Sequence, residues 1–330
     1  MLKTLVKTVG RATGGILGRV VLPAILAAAL PFAAIEAEAA DPAACKTVKF
    51  ADVGWTDITA TTALASTVLE GLGYTPRTDV LAVPVTYASL KNKDIDVFLG
   101  NWMPTMEADL KPYVEDKSVE VVGANLEGAK YTLAVPTSTY DAGLKSFADI
   151  AKFKDKLGGK IYGIEPGNDG NRLILGMIEE DKFGLKGFEV VESSEQGMLA
   201  QVERATKRNE DVVFLGWEPH PMNAKFDMKY LEGGDDVFGP NYGGATVYTN
   251  IRAGWAAECP NAGKLIKNLV FSLPMENEVM GKILLDGEEA PKAAKAWLKA
   301  HPEVLDGWLA GVTTLGGEPG LPAVKASLGL

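Results

Sequence analysis

Three of the six tryptophans share a local setting. Trp55 and Trp217 directly follow Gly54 and Gly216, and Trp102 comes two residues after Gly100. Each closes a short apolar run. Aromatic faces carry negative π-electron density and attract cations within about 6 Å, at roughly 2 kcal/mol or more once water is excluded. A quaternary ammonium suits a cage of such rings, because it has no N–H donors and loses little hydration. A primary amine would need an acceptor for each proton. Any one tryptophan alone reads as core packing, since aromatics dominate cores. Three at matching places favour a shared site.

Polar residues near these rings narrow the chemistry. Asp57 stands two residues after Trp55. It can cap the helix that starts at Ile58, or accept a hydroxyl or balance a cation in a cleft. It would repel a carboxylate, so a cleft position favours a cation that carries a hydroxyl. Asn168 sits in the tight Pro166–Gly170 turn. It reads either as turn chemistry or as an amide offered to a ligand hydroxyl. Tyr131 opens a strand, where ordinary packing is the alternative role.

The elements that must position these residues alternate. Val48–Val53 reads as a strand, Ile58–Leu72 as a helix, Val80–Val85 as extended, Tyr87–Asn92 as a short helix, and Ile95–Leu99 and Val119–Val122 as strands. A second series starts with the strand Tyr131–Val135 and the helix Ser146–Phe153. It continues with Lys160–Ile164, a helix near Asn171–Glu180, the strand Glu189–Glu192, the helix Glu195–Lys207 and the buried strand Val212–Leu215. Ala245–Asn250 is extended, and the chain is mainly helical from Lys264. This order predicts an α/β fold with mostly parallel sheets flanked by helices. The segment Asp96–Pro104 echoes Asp211–Pro219, each a buried strand ending in glycine and tryptophan. Two series suggest two lobes, with crossovers near Gly128–Lys130 and between Gly233 and Gly243. The expected division is 40–129 and 237–330 for one lobe and 130–236 for the other, inserted one. A single doubly wound domain is the alternative. In open parallel sheets, ligands lie beyond the carboxyl ends of the strands, which is where the three tryptophans are expected.

Compartment follows from the N-terminus. Lys3, Lys7, Arg11 and Arg19 precede the apolar stretch Val20–Ala34 and the small-x-small site Ala37-Glu38-Ala39. This is the order of a signal peptide over residues 1–39. The apolar run is shorter than the roughly 20 residues of a spanning helix, so a soluble periplasmic protein is expected after cleavage. The leader holds four of the 33 basic and two of the 43 acidic side chains, which leaves 29 against 41 and a net charge of −12. That balance argues against nucleic acid as a partner. Cys45 and Cys259 are the two cysteines. In an oxidising compartment they read most simply as one disulfide, with two buried thiols as the alternative. A bond would place both ends of the mature chain in one lobe.

Enzyme chemistry is poorly provided for. His220 and His301 are the two histidines, far apart and without a cysteine or carboxylate at metal spacing. No nucleophile elbow, P-loop or dinucleotide fingerprint is present. His220, between Pro219 and Pro221, reads as structural. No catalytic residue, metal or cofactor is expected.

The stretches Asp52–Ile58, Val97–Pro104, Tyr162–Arg172 and Val213–Asn223 resemble the periplasmic choline-binding proteins of bacterial ABC importers, within the wider glycine betaine and choline binding group. The resemblance covers the mature chain. It implies a two-lobed periplasmic binding protein fold that closes on its ligand about a hinge. It implies a cage of Trp55 and Trp102 from one lobe with Tyr131 and Trp217 from the other, and choline's hydroxyl held by Asp57 and Asn168. It further implies a Cys45–Cys259 disulfide, a membrane permease as partner, weaker binding of acetylcholine and a monomer. The alternatives are a binder of glycine betaine or another quaternary amine, a sensory binding protein, and a choline-ester hydrolase.

Overall fold

A computed structural model describes residues 41–330. The expected signal peptide lies outside the described residues.

Strand β1 (Thr47–Asp52) leads through a tight turn into α1 (Thr56–Gly71), and β2 (Thr75–Val80) returns parallel to β1. Helix α2 (Val83–Asn92) precedes β3 (Val97–Met103), which lies parallel to β1 on its other side, and α3 (Glu107–Glu115) follows. The extended stretch expected at Val80–Val85 lies earlier, and a helix starts where it was expected. Strand β2 ends at Val80 and α2 starts at Val83, with Pro84 in its first turn. Proline is well placed there, because its missing N–H would have no intrahelical partner anyway. A short apolar run does not distinguish a strand end from a buried helix start.

Strand β4 (Val119–Pro136) is 18 residues long and absorbs both strands expected at Val119–Val122 and Tyr131–Val135. Beyond it come β5 (Lys160–Tyr162), β6 (Glu189–Val191), β7 (Phe214–Glu218), β8 (Met228–Tyr230) and β9 (Gly244–Arg252). The nine strands form one sheet in the order β2-β1-β3-β9-β4-β7-β5-β6, with β8 on β4. Its outer pairs, β1 with β2 and β3, and β5 with β6 and β7, are parallel. The two central strands are antiparallel to their neighbours. Residues 119–130 of β4 pair with β9, and residues 130–134 pair with β7. One strand therefore leads from the first half of the sheet into the second, and β9 leads back.

Helices cover both halves. Phe147–Phe153 is a 3-10 helix, tighter than the α-helix expected there, and Ser146 and Asp149 cap it reciprocally. The C-terminal helices Leu273–Leu284, Ala290–Ala300 and Gly320–Leu328 pack against α1 in the first half. A disulfide joins Cys45 to Cys259 across 214 residues and ties the start of β1 to this C-terminal segment. Asp41 reinforces the join. Its two carboxylate oxygens accept the N–H groups of Asn261 and Ala262 at 2.8 and 2.9 Å. Phe50, Leu64, Phe98 and Trp255 are fully buried in the first half, and Phe147, Ile161, Phe214 and Phe238 in the second.

Candidate ligand-binding site

The β1–α1 turn places Trp55. Gly54 at its centre has φ +83°, a conformation that costs glycine little and other residues much. Asp52 pins the turn, accepting the Gly54 N–H at 2.7 Å and the Thr59 hydroxyl at 2.6 Å. Trp102 and Trp217 were expected just past strand ends, as Trp55 is. They lie instead within the last residues of β3 and β7. The antiparallel neighbours explain this. The pairing of β3 with β1 stops at Phe98, but β9 carries β3 on to Met103. Likewise β5 meets β7 at Phe214 alone, and β4 carries β7 on to Glu218. Tyr131, in β4, is the direct cross-strand neighbour of Trp217.

These elements converge on a small cavity lined by Trp55, Asp57, Trp102, Tyr131, Ile164 and Trp217. The ring centroid of Tyr131 is 6.1 Å from that of Trp102 and 6.3 Å from that of Trp217, with the planes steeply inclined. All four rings are buried. Three have their polar handles tied. Trp55 Nε1 donates to Glu165 at 2.9 Å, Trp102 Nε1 to Asp57 Oδ2 at 3.1 Å, and Tyr131 Oη to Asn168 Oδ1 at 2.9 Å. Each bond fixes a ring's tilt and leaves its face toward the cavity for other contacts.

Asp57 is not a helix cap. Helix α1 starts one residue earlier than Asp57, Trp55 occupies the cap position, and Asp57 stands in the first turn. Its Oδ1 is buried and has no hydrogen-bond partner. A buried acceptor left unpaired costs about 1–3 kcal/mol, which a donor arriving in the cavity would recover. Burial pushes the Asp57 carboxyl up to about 8, and the nearby Glu195 charge adds to the shift. Asn168 does cap a helix, Asp169–Glu179, by accepting the Asn171 N–H at 3.1 Å. It stands behind Tyr131 and does not line the cavity, and its Nδ2 donates one proton to Asp169 Oδ1 at 3.1 Å. Asn168 thus starts this helix and also receives the Tyr131 hydroxyl.

Four contributors escaped the sequence reading. Ile164 supplies a cavity wall and Phe238 packs edge-on against Tyr131 at 5.9 Å. Neither carries a sequence signal beyond being apolar. Glu165 and Glu195 look like ordinary surface acids in sequence, yet Glu165 holds Trp55 and Glu195 is buried. Burial pushes the Glu165 carboxyl up to about 7. Glu276 is also buried, and desolvation, followed by the Asp57 charge, holds its pKa well above the usual range. The cavity thus has an acidic surrounding, and none of its lining residues is basic. His220 is packed and bonded as a structural residue. Its Nδ1 accepts the Met222 N–H at 2.9 Å and its ring meets that of Trp217 at 4.8 Å.

Comparison with known proteins agrees with this architecture. The substrate binding domain of ABC-type glycine betaine transport systems matches residues 46–300. A solved structure of an ABC-transporter choline binding protein in complex with choline is 69% identical, with a TM-score of 0.86, covering 87% of this chain and 100% of that one. A lactococcal protein of the same family, in a closed conformation with glycine betaine, is 27% identical with a TM-score of 0.72, covering 79% and 98%. An uncharacterized protein, ORF1, from Chromohalobacter salexigens is 60% identical over 129 residues, which is 39% of this chain and 83% of that protein. The fold is the two-lobed α/β fold of periplasmic binding proteins, with the cleft between the lobes. No helix among the described residues is long and apolar enough to cross a membrane. The chain belongs to the family of substrate-binding domains of ABC-type glycine betaine transport systems.

Proposed function

We propose that this protein binds choline in the periplasm and delivers it to the permease of an ABC importer, without chemistry on the ligand. The trimethylammonium group sits among Trp55, Trp102, Tyr131 and Trp217. The hydroxyl donates to Asp57 Oδ1, and Asn168 acts from behind the wall by holding the Tyr131 hydroxyl. The observation that carries this reading is the unpartnered buried oxygen of Asp57 in a cavity walled by four aromatic rings. A cation satisfies the rings and an O–H satisfies the oxygen. The carboxylate of glycine betaine would find no basic lining residue to receive it, and it would oppose the ionisation of Asp57 that a bound cation favours. The 69% identity to a choline binding protein supports the same choice.

We further infer that residues 40–129 and the C-terminal segment form one lobe and that the inserted lobe begins at residue 130. Phe238 still packs on Phe147 and Tyr131, which supports a return crossing at about 239–244 in place of 236–237. Tryptophan fluorescence tests the ligand. Choline should change it at micromolar concentrations, and glycine betaine should need far more. A stronger response to glycine betaine would move the assignment to that ligand.

A further inference from the structure

We propose that Glu195 is a closure latch, a positioning residue of the inserted lobe that caps helix α1 of the other lobe and so aligns Trp55 and Asp57 with Trp217 when the cleft is shut. This rests on the cage reading above but concerns a residue that does not line the cavity.

The first N–H groups of a helix lack intrahelical acceptors and need them from elsewhere. Helix α1 is 16 residues long, and Trp55 at its cap position makes no side-chain capping bond. Glu195, 139 residues away in sequence, fills that gap. Its Oε2 accepts the Thr56 N–H at 2.8 Å, and its Oε1 accepts the Thr56 hydroxyl at 2.6 Å. Thr56 lies between the two cavity residues Trp55 and Asp57, so these bonds fix the backbone that carries both. Oε1 also stands 3.2 Å from His220 Nε2. Because His220 Nδ1 accepts a backbone N–H, the proton sits on Nε2 and points at Glu195. The His220 ring in turn packs on Trp217. One carboxylate thus joins both halves of the cage.

Its placement suits a latch. Glu195 opens the helix Glu195–Arg208, so its charge lies at the positive ends of two helices. Glu195, Thr56 and His220 are each at most 3% exposed, which excludes water as a substitute partner. Two further bonds to carboxylates cross the proposed cleft, Trp55 to Glu165 at 2.9 Å and Arg172 to Asp109 at 2.8 Å; the arginine of the second is more exposed, and exposed pairs contribute little. Separating the lobes breaks the Glu195–Thr56 bonds. A contact made only in the closed state shifts the open–closed equilibrium and so the apparent ligand affinity.

The test compares wild type, E195Q, T56V and the double variant for choline affinity, for choline release by stopped-flow fluorescence, and for ligand-free thermal stability. Losing hydrogen bonds to a charged group should weaken E195Q at least about tenfold, mainly through faster release. The double variant should be no worse than E195Q, because T56V removes only the hydroxyl bond of the contact that E195Q already weakens. Ligand-free melting should stay near wild type. Equal affinity and release in wild type and E195Q, additive losses, or a matching drop in ligand-free stability would each overturn the latch. If wild type ignores choline, the ligand assignment fails separately. Small-angle scattering would then judge the latch, which requires a smaller compact fraction in E195Q and is overturned by identical profiles.

Discussion

At the scale of single residues, the proposed site gives Asp57 the choice of cation. With its carboxyl pushed up to about 8, the empty site holds Asp57 mostly protonated at pH 7. A bound cation favours the ionised form and lowers that pKa. Binding therefore releases a proton below about pH 8, and affinity rises with pH up to that point and then levels. Calorimetry from pH 6 to 9 in two buffers of different protonation enthalpy measures the released proton directly, and Asp57→Asn should abolish both it and the slope. A flat profile in wild type would contradict this role for Asp57. The same shift bears on stability. An acid whose folded pKa lies above its unfolded value holds its proton longer when folded. The ligand-free protein should therefore lose stability as pH rises from about 4 to 8, as melting curves would record. Sequence made the tryptophans legible, because three glycine-linked aromatics at matching places are hard to attribute to packing. It hid Glu165 and Glu195, because only tertiary contact separates a buried acid from a solvated one.

Among the elements, the contact of α1 with β3 sets the distance from Asp57 to Trp102. Gly100 allows it. A Cβ there would come within 2.7 Å of the Ile58 side chain. Gly100→Ala should push α1 outward and cost roughly 1–3 kcal/mol of stability as overpacking does. It should also weaken choline binding by separating Asp57 from Trp102. Urea unfolding beside a binding titration checks both, and a variant with unchanged affinity would show that the α1–β3 spacing does not set the site. The alternation of strands and helices was readable from hydrophobic periodicity. The reach of β3, β4 and β7 was not. Those strands are extended by antiparallel partners far away in sequence, so the Trp102 and Trp217 positions fell inside strands that local pattern ended too soon.

For the whole molecule, the proposed division gives each lobe half of the proposed cage, which makes capture and closure one event. The disulfide serves the frame and not the site. Cys45 and Cys259 lie 214 residues apart in sequence and line no part of the cavity. Replacing both with serine should cost roughly 2–4 kcal/mol of stability, while choline affinity stays close to wild type. A loss of affinity as large as the loss of stability would place the bond in the binding mechanism. The two-lobed fold was legible from two strand–helix series and a cysteine pair, because both leave long-range marks in sequence. The central claim is that buried aromatic faces hold a cation. The most direct measurement is a calorimetric comparison of choline with 3,3-dimethylbutan-1-ol, which has the same shape and hydroxyl but no charge. Cation–π attraction of about 2 kcal/mol or more corresponds to a preference for choline of at least about 30-fold. Equal affinity for the two would contradict the cage.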